Sequence, residues 1–529
     1  MTNKSKNTDS KKKNQILKLK TKDQKKMSIK KNTKIKALPL TQHSQSTSQS
    51  FKFEYAPAPE STSIVKIKKT NELFINGKFV KPQSGKYFKT INPAKNEALA
   101  EIAEANEKDV DLAVQAARRA YDTTWSKLSG AERGKYLFRI ARILQERSRE
   151  FAVLESLNGG KPIKDSRDID IPLASAHFFY YAGWADKLEY VLAGKKASPL
   201  GVAGQVIPWN FPLLMAAWKI APALATGNTV VLKPAETTPL TALLLAEVLQ
   251  QAELPDGVVN IITGAGATGT ALVNHSDINK VAFTGSTEVG KKIARSIVGT
   301  GKKLTLELGG KSAHIIYEDA AIDQAIEGIV NGIYFNQGHV CCAGSRLLVE
   351  ESILSTVVKK LKKRIDQLRI GDPLDKNTDV GAINSLEQLN KITEIVKIGK
   401  QEGGDYYESS SKIPTQGFFS KPCFFSGVSA SDTVSRVEIF GPVLAISTFR
   451  TPEEAIAKAN DTPYGLAAGI WSEKGSKIHK TALGLKAGVI WANTYNKFDP
   501  SAPFGGYKES GYGREGGRHG LLPYLEIES

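Results

Sequence analysis

Short runs of apolar residues alternate with longer stretches of mixed polarity through the middle of the chain. The apolar runs are GVAGQVI (201–207), NTVVLKP (228–234), VVNIITG (258–264), KVAFTG (280–285) and KLTLEL (303–308). Continuous runs of this length are typical of strands buried on both faces, and several of the stretches between them have helical spacing. Strands that alternate with helices at this interval predict right-handed crossovers and a parallel sheet. A second alternating series covers residues 311–480, so the sequence predicts two α/β domains.

Local signals predict where several elements begin and end. Asn76 and Gly77 separate two apolar runs, which indicates a hairpin turn. Helical spacing of apolar residues extends over about 131–156. Thr238 and Pro239 predict the N-cap and the first position of a helix that follows the run NTVVLKP.

Charge is distributed unevenly along the chain. The chain carries a net charge of +18, but residues 1–60 contain 15 lysines and four acidic residues, which supply +11 and leave +7 for the rest. This tail has few large apolar residues, so we predict that it is disordered. Its roles stay open among a solvated extension, a transit peptide and a weak contact with an acidic partner. The solvated extension is favoured. A transit peptide is disfavoured because such peptides prefer arginine, and a nucleic-acid role is also disfavoured.

The few cysteines and the longest apolar stretch bear on the cellular compartment. Three cysteines in 529 residues do not make a disulfide framework, so we expect a reducing compartment and predict a cytoplasmic protein. Residues 206–225 are largely apolar, but they include Asn210, Lys219 and three prolines, which argues against a membrane span. We predict neither membrane insertion nor a metal site.

Candidate chemistry lies in the loops after the predicted strands, because ligands of parallel sheets bind beyond the carboxyl ends of strands. GAGATG (264–269) matches the pattern G-x-G-x-x-G, but a lone match is weak and a tight turn is the favoured interpretation. In FTGSTEVG (283–290), Gly285 would let a phosphate approach the backbone, and Ser286 stands at a helix N-terminus that favours an anion. An ordinary N-cap is the alternative.

VVLKPAE (230–236) places Lys233 and Glu236 directly after a predicted strand. A carboxylate at this position accepts hydrogen bonds from ribose hydroxyls and repels a 2′-phosphate. A surface salt bridge between the two side chains is the alternative.

With these segments in view, the sequence resembles the aldehyde dehydrogenase superfamily from about residue 65 to the end. Seven motifs occur in the family order: IPWNFP (207–212), VLKPAE (231–236), FTGSTEVG (283–290), LELGGKS (306–312), FNQGHVCCAGSR (335–346), EIFGP (438–442) and PFGGYKESGYGRE (503–515). Seven separate motifs in order make the resemblance specific. It implies a Rossmann-type cofactor domain, an α/β catalytic domain and a small oligomerisation element.

The resemblance also implies domain boundaries. Residues 61–308 would form the NAD-binding domain, with a shortened oligomerisation hairpin near 188–200, and residues 309–510 would form the catalytic domain. Residues 511–529 would form a C-terminal segment in which the chain runs back to the cofactor and oligomerisation region. We expect the family's last strand to be missing, since the chain stops at Ser529. A homodimer or homotetramer is the expected assembly, because oligomers of identical chains are the usual form for soluble enzymes.

The resemblance assigns catalytic roles to four residues. Cys341 would be the nucleophile, and Cys342 would be a small residue beside the pocket. The side-chain amide of Asn210 would stabilise the oxyanion, Lys219 would lie near it, and Glu307 would activate water as the general base. The implied reaction is the NAD-dependent oxidation of an aldehyde to its carboxylic acid through a thiohemiacetal and a thioester on cysteine. Transfer of the acyl group to coenzyme A and a non-catalytic binding role are the alternatives.

Cofactor and substrate contacts follow from the same motifs. The implied cofactor contacts are Ile207, Trp209, Lys233, Glu236, Gly266, Thr284, Gly285, Ser286, Glu438 and Phe440, and they favour NAD over NADP. The implied substrate tunnel consists of Phe211, Trp218, Phe498 and Phe504, which suit small or apolar aldehydes, although these aromatic residues could also pack a core. His339 replaces the commoner glutamine two residues before the nucleophile, and we predict a neutral ring there.

Overall fold

The computed structural model describes residues 55–528, so the predicted disorder of the tail lies largely outside the described residues. The predicted boundary at residue 60 falls inside the folded part of the chain. Glu60 is buried, its backbone N–H donates to the carbonyl of Leu374 at 2.8 Å, and its carboxylate pairs with Arg149 and Lys376.

Twenty strands occur in the described part of the chain. They are β1 Thr70–Asn71, β2 Leu73–Ile75, β3 Lys78–Val80, β4 Tyr87–Asn92, β5 Glu97–Ala103, β6 Ala197–Pro199, β7 Val202–Val206, β8 Thr229–Lys233, β9 Val259–Ile261, β10 Lys280–Thr284, β11 Lys303–Glu307, β12 Ala313–Ile316, β13 Arg346–Glu350, β14 Asp405–Glu408, β15 Cys423–Ser426, β16 Val443–Phe449, β17 Ala467–Trp471, β18 Val489–Ala492, β19 Gly511–Tyr512 and β20 Leu525–Ile527.

The helices between these strands cover both large sheets. They are α1 Glu107–Thr123, α2 Gly130–Glu146, α3 Ser148–Gly159, α4 Ile171–Trp184, α5 Leu188–Leu192, α6 Pro212–Ala225, α7 Leu240–Gln251, α8 Gly266–Asn274, α9 Thr287–Ser296, α10 Ile322–Tyr334, α11 Leu354–Ile365, α12 Leu386–Gln401, α13 Thr433–Arg436, α14 Pro452–Asn460 and α15 Gly475–Gly484. A helical turn at Ile163–Asp165 and a π-helical turn at Ser166–Asp170 precede α4.

The first large sheet has the strand order β19-β11-β10-β7-β8-β9-β2-β3. Strands β7 to β11 run parallel, whereas β2, β3 and β19 run antiparallel to their neighbours. The chain moves from β7 to β8 and β9 on one side and then returns to β10 on the other side. The carboxyl ends of β7 and β10 therefore flank the switch point of the sheet, where ligands of such folds bind.

The second large sheet has the order β14-β15-β16-β13-β12-β17-β18 and is parallel except for β14. A smaller sheet, β1-β5-β4, lies between the N-terminal segment and α1 along the chain. The predicted fold class, with two α/β sheets of mainly parallel strands, is therefore confirmed. The strand predictions succeeded because both faces of these strands are buried, so each strand reads as a continuous apolar run.

The predicted turn at Asn76 and Gly77 joins β2 to β3, and both residues have positive φ angles, 52° and 75°. The helical spacing of apolar residues over 131–156 predicts a helix without a break, but two helices occupy this stretch. Arg147, with φ −94° and ψ 12°, ends α2 and precedes α3. The apolar spacing continues across this break, so periodicity alone did not reveal it.

Two further expectations were wrong. Helix α7 starts at Leu240, and Thr238 does not cap it, because its hydroxyl donates to the carbonyl of Trp209 at 3.4 Å. The segment near 188–200 is not a hairpin. It forms the short helix α5 and then β6, which pairs with β20 near the C-terminus. Strand β20 lies in the predicted C-terminal segment, and its pairing satisfies backbone groups of β6.

Residues 206–225, the longest apolar stretch, form the end of β7, a loop and α6. Among residues 55–528, no helix combines the length and the apolar character that crossing a membrane requires.

Candidate active site

A cleft opens at the carboxyl ends of β7, β10 and β11. Thirteen of the predicted site residues line it: Trp209, Asn210, Phe211, Trp218, Thr284, Gly285, Ser286, Glu307, Cys341, Glu438, Phe440, Phe498 and Phe504. The remaining five lie outside its walls: Ile207, Lys219, Lys233, Glu236 and Gly266. Residues far apart in the sequence therefore meet at the predicted edge of the first sheet.

Cys341 reaches the cleft on the loop that joins α10 to β13. The backbone turns sharply after α10, where Asn336, Gln337 and Gly338 all have left-handed conformations with φ of 46°, 55° and 77°. Cys341 is partly exposed, whereas Cys342 is buried and also lines the cleft. The neighbouring Cys342 thiol and burial raise the pKa of Cys341 well above its usual value. This environment favours the thiol form of Cys341, and a thiol must lose its proton before it can act as a nucleophile.

Asn210 follows β7 and is buried beside the cysteine loop. Its side-chain Nδ2 donates to the carbonyl of His339 at 2.8 Å, and its own carbonyl accepts from the side chain of Asn336 at 2.9 Å. An amide nitrogen carries two hydrogens, so one can hold the loop while the other is available to a ligand oxygen. This arrangement suits an oxyanion donor near Cys341.

Glu307 is the last residue of β11 and its side chain is buried. Neither carboxyl oxygen has a hydrogen-bond partner among residues 55–528. Burial, followed by the negative charge of Glu515, raises the pKa of Glu307 well above its usual value, while the charge of Lys219 opposes the shift. A β-carbon at Gly505 would lie only 2.8 Å from Oε1 of Glu307, so this glycine leaves room for the carboxylate. A carboxylate with a raised pKa is a stronger base than usual, which suits a group that accepts a proton.

Glu515 is a site residue that the sequence interpretation missed. It lines the cleft, and its carboxylate forms a buried ion pair with Lys219. Reciprocal backbone hydrogen bonds with Phe504, of 2.6 and 2.8 Å, fix its position. The motif PFGGYKESGYGRE ends with this residue, so its position in the motif was the available signal. Lys219 thus reaches the cleft indirectly, through Glu515.

The N-terminus of α9 points toward the same cleft. Ser286 caps this helix by accepting from the backbone N–H of Val289 at 3.4 Å. The buried hydroxyl of Thr284 has no hydrogen-bond partner among the described residues. A β-carbon at Gly285 would lie 2.5 Å from the ring of Phe283, so only glycine fits there. Free donors and the helix dipole make this end of α9 suitable for an anion.

Glu438 and Phe440 lie on the loop before β16. The backbone N–H of Gly310 donates to Oε1 of Glu438 at 3.0 Å, and burial raises the pKa of this carboxyl to about 7. Phe440 has a positive φ of 56° and stacks edge-on with Trp209, with a centroid distance of 5.2 Å. Gln388, which the sequence interpretation did not single out, holds this loop by donating to two of its carbonyls at 2.9 Å.

Lys233, Glu236 and Gly266 form a separate group at the end of β8 and the start of α8. Nζ of Lys233 lies 3.5 Å from the carboxylate of Glu236, and the side chain of Lys233 is buried while that of Glu236 is exposed. Burial lowers the pKa of Lys233. Gly266 opens α8, and a β-carbon at Gly269 in the same helix would lie 3.4 Å from Lys233 Cδ. Ile207 is buried at the end of β7.

Four aromatic residues form one wall of the cleft. Trp218 and Phe504 have centroids 5.5 Å apart, and Phe498 lies 6.0 Å from Phe504. Phe211 is the fourth aromatic residue, and Leu214, Met215 and Val340 add further apolar surface. Among the described residues that line the cleft there is no arginine.

His339 is buried beneath Trp209, with ring centroids 4.8 Å apart. Burial, followed by the charge of Lys161, lowers the pKa of His339 to about 3. The ring is therefore neutral over the physiological range, as we predicted from the sequence.

Comparisons with known proteins agree with this geometry. The sequence profile of the aldehyde dehydrogenase family matches residues 79–529. The chain is 46% identical to DhaS of Bacillus subtilis (strain 168) over 470 residues, which cover 87% of this chain and 95% of that protein. It is 42% identical to human (Homo sapiens) retinal dehydrogenase 2 over 483 residues, which cover 89% and 93%. The structure matches an NAD+ complex of aldehyde dehydrogenase from Bacillus cereus with a TM-score of 0.85 and 42% identity, over 87% of this chain and 96% of that one. The chain therefore belongs to the aldehyde dehydrogenase family, whose members are oxidoreductases that act on aldehydes.

Proposed function

We propose that the chain oxidises an apolar aldehyde to its carboxylic acid with NAD as the oxidant. The observation that carries this proposal is the meeting of Cys341, Asn210 and Glu307 in one cleft. A nucleophile, an oxyanion donor and a base are the three groups that oxidation through a thioester requires. Fold alone would not support this function, because one fold hosts many reactions.

The first step is the attack of the Cys341 thiolate on the aldehyde carbon. A carbon–sulfur bond forms, and the carbonyl oxygen becomes an oxyanion that the side-chain amide of Asn210 and the backbone N–H of Cys341 stabilise. This carbon then loses a hydride and leaves a thioester on Cys341. NAD bound in the cleft would supply the acceptor for that hydride.

Hydrolysis completes the reaction. Glu307 takes a proton from water, the resulting hydroxide adds to the thioester carbonyl, and the carbon–sulfur bond breaks to release the carboxylic acid and the Cys341 thiolate. The acid then loses its own proton to solvent and becomes the carboxylate. Glu307 must then lose its proton. This proton passes to solvent, which restores the carboxylate for the next turnover.

The residues on this side of the cleft fit a dinucleotide. The unpartnered hydroxyl of Thr284 and the N-terminus of α9 suit a phosphate, and the carboxylate of Glu438 suits ribose hydroxyls. The exposed carboxylate of Glu236 beside Lys233 supports NAD over NADP, because a 2′-phosphate would meet its negative charge.

The aromatic wall supports an apolar substrate. Phe211, Trp218, Phe498 and Phe504 offer apolar stacking surface, which suits an aldehyde with an apolar chain or ring. Glu307 favours hydrolysis over transfer to coenzyme A, because a base that activates water is needed only when water is the acceptor.

A homodimer or homotetramer and a cytoplasmic location also stay predictions. Strand β18 is an edge strand of the second large sheet in the described part of the chain. Such an edge is commonly covered by a second subunit. Light scattering on the purified protein would measure the assembly directly.

The test is formation of NADH by the purified protein over a panel of aldehydes, from short aliphatic to aromatic, with and without coenzyme A. We expect turnover without coenzyme A, loss of turnover in Cys341→Ser and retained turnover in the control Cys423→Ala, at a buried cysteine that does not line the cleft. A requirement for coenzyme A would indicate an acylating enzyme. No turnover with any aldehyde would support the non-catalytic alternative.

A further inference from the structure

The turn that presents Cys341 is strained. Asn336, Gln337 and Gly338 are three consecutive residues in the left-handed region, with φ of 46°, 55° and 77°. For residues with a β-carbon this conformation is unfavourable and persists only when the surroundings hold it. Gly338 packs so closely on the carbonyl of Gly441 that a β-carbon would overlap it. The contacts that hold the turn therefore decide where the nucleophile lies.

Side-chain hydrogen bonds hold both non-glycine residues of this turn. Nε2 of Gln337 donates to the carbonyls of Ala382 at 2.9 Å and Gly160 at 3.3 Å, and Oε1 accepts from the backbone N–H of Gly381 at 3.3 Å. The backbone N–H of Asn336 instead donates to a carboxylate, Oδ2 of Asp165, at 3.3 Å. Asp165 has no role in the reaction described above.

Asn336 connects this carboxylate to the oxyanion donor. Its side-chain Nδ2 donates to the carbonyl of Asn210 at 2.9 Å and to the carbonyl of His339 at 3.3 Å. The carbonyl of His339 is the group that accepts from Nδ2 of Asn210 at 2.8 Å. A continuous set of hydrogen bonds therefore runs from Asp165 through Asn336 to the amide that faces the substrate.

The local fold keeps Asp165 at this place. Residues Ser166–Asp170 after it form a π-helical turn, a rare feature that is frequent at functional sites, and Ile169 of this turn lines the cleft. Asp165 is buried, and the charged groups that face it are Asp170, Lys164 and Lys161. Lys161 is itself held by an ion pair with Asp170. A buried carboxylate is costly unless it accepts hydrogen bonds, so the hydrogen bond from Asn336 offsets part of the cost of burying Asp165.

We propose that Asp165 is a positioning residue, which fixes the left-handed turn at Asn336 and thereby the orientation of the Asn210 amide and the Cys341 thiol. The inference rests on the proposed function for its catalytic consequence. Its geometric consequence, the placement of the thiol, does not depend on turnover.

The test compares Asp165→Leu, which removes the acceptor at similar size, with Asp165→Asn, which keeps an acceptor oxygen. Loss of one oxyanion donor costs about 10²–10³ in kcat, so a misplaced Asn210 amide should cost about tenfold to hundredfold in Asp165→Leu, while KM for NAD changes little. Asp165→Asn should recover most of the loss. Asp168→Asn, at an exposed position of the same segment, is the matched control and should behave as the wild type.

A double-mutant cycle separates positioning from general destabilisation. If Asp165 acts through Asn210, Asp165→Leu should slow the Asn210→Ala variant by a clearly smaller factor than it slows the wild type, because the donor that Asp165 orients is already absent and only the effect on the Cys341 thiol is left. Multiplying effects in the double variant, or equal activity in Asp165→Leu and wild type, would overturn the proposal. Melting curves of all variants establish that each is folded at the assay temperature.

A second readout distinguishes a failure of this inference from a failure of the proposed function. Alkylation of Cys341 by iodoacetamide needs no aldehyde and no cofactor, and it should become about threefold faster or more in Asp165→Leu, because a released loop opens more often. If the wild type oxidises no aldehyde, the proposed function fails, and the alkylation rates alone decide the inference. Unchanged rates in Asp165→Leu would then reject it.

Discussion

Replacing Glu307 by glutamine tests the hydrolytic half of the reaction with little change in shape. The side chain keeps its size but can no longer accept a proton from water. Both carboxyl oxygens lack hydrogen-bond partners among the described residues, and the group is buried next to the negative charge of Glu515. The substitution removes a charge that the surroundings disfavour, so we expect the melting temperature to stay the same or to rise.

The expected effect on turnover follows from the role of a base. General base catalysis contributes about 10²–10⁴ in rate, which corresponds to about 3–5 kcal/mol in the activation barrier. The earlier steps need no activated water. Glu307→Gln should therefore form one equivalent of NADH per active site in a rapid burst and then turn over about 10²–10⁴ times more slowly than the wild type.

The pH profile gives an independent check with a defined sign. The pKa of Glu307 is raised, mainly by burial, so the basic form appears only as the pH increases through that raised value. Turnover of the wild type should increase with pH over this range, and Glu307→Gln should lose that rise.

Stopped-flow absorbance of NADH measures the burst and the steady state in one experiment. A steady-state rate within about threefold of the wild type would refute the role of Glu307 as the base, since the expected loss is at least about 10². A normal melting temperature with no burst would also contradict the scheme, because it would place Glu307 before thioester formation, as the base that takes the proton of Cys341.

Three further perturbations follow from buried groups around the cleft. Gly309→Ala should raise KM for NAD by about tenfold, because its β-carbon would overlap the carboxylate of Glu438. Lys219→Met should move the rise of turnover to higher pH, since Lys219 lowers the pKa of Glu307. It should also destabilise the fold by about 3–5 kcal/mol by breaking a buried ion pair. Lys311→Met should stabilise the fold by at most about 4 kcal/mol at pH 7. Burial lowers the pKa of Lys311 from 10.5 to about 7, so this gain is complete below pH 7 and disappears as the pH rises toward 10.5.

Matched variants control each of these measurements. Gly475→Ala introduces a β-carbon into open space and should leave KM for NAD unchanged. Lys187→Met removes an exposed lysine and should not move the pH profile, and Lys486→Met removes an exposed lysine near Lys311 and should not stabilise the fold. A stability gain in Lys311→Met that is as large at pH 10 as at pH 7 would contradict the assigned cause.

The sequence by itself determined the fold class, the parallel strands and the family. Buried parallel strands are continuous apolar runs, and the motifs lie at fixed positions directly after them, so a linear reading recovers both. It also identified Cys341, Glu307 and Asn210 as a candidate set, because each occupies a recognisable motif. The break at Arg147 between two helices was not visible, since the apolar spacing is the same on both sides of it.

Only the tertiary structure decided which distant groups act on one another. The ion pair of Lys219 with Glu515 joins residues 296 positions apart, and the hydrogen bond from Asn336 to Asp165 joins residues 171 apart. Neither partner carries a local signal for the other, because electrostatic and hydrogen-bond energies depend on distances of a few ångströms that no sequence spacing encodes. The same holds for the pairing of β6 with β20, which replaced the hairpin we predicted. Periodicity determines which face of an element is buried, whereas long-range packing determines what that face meets.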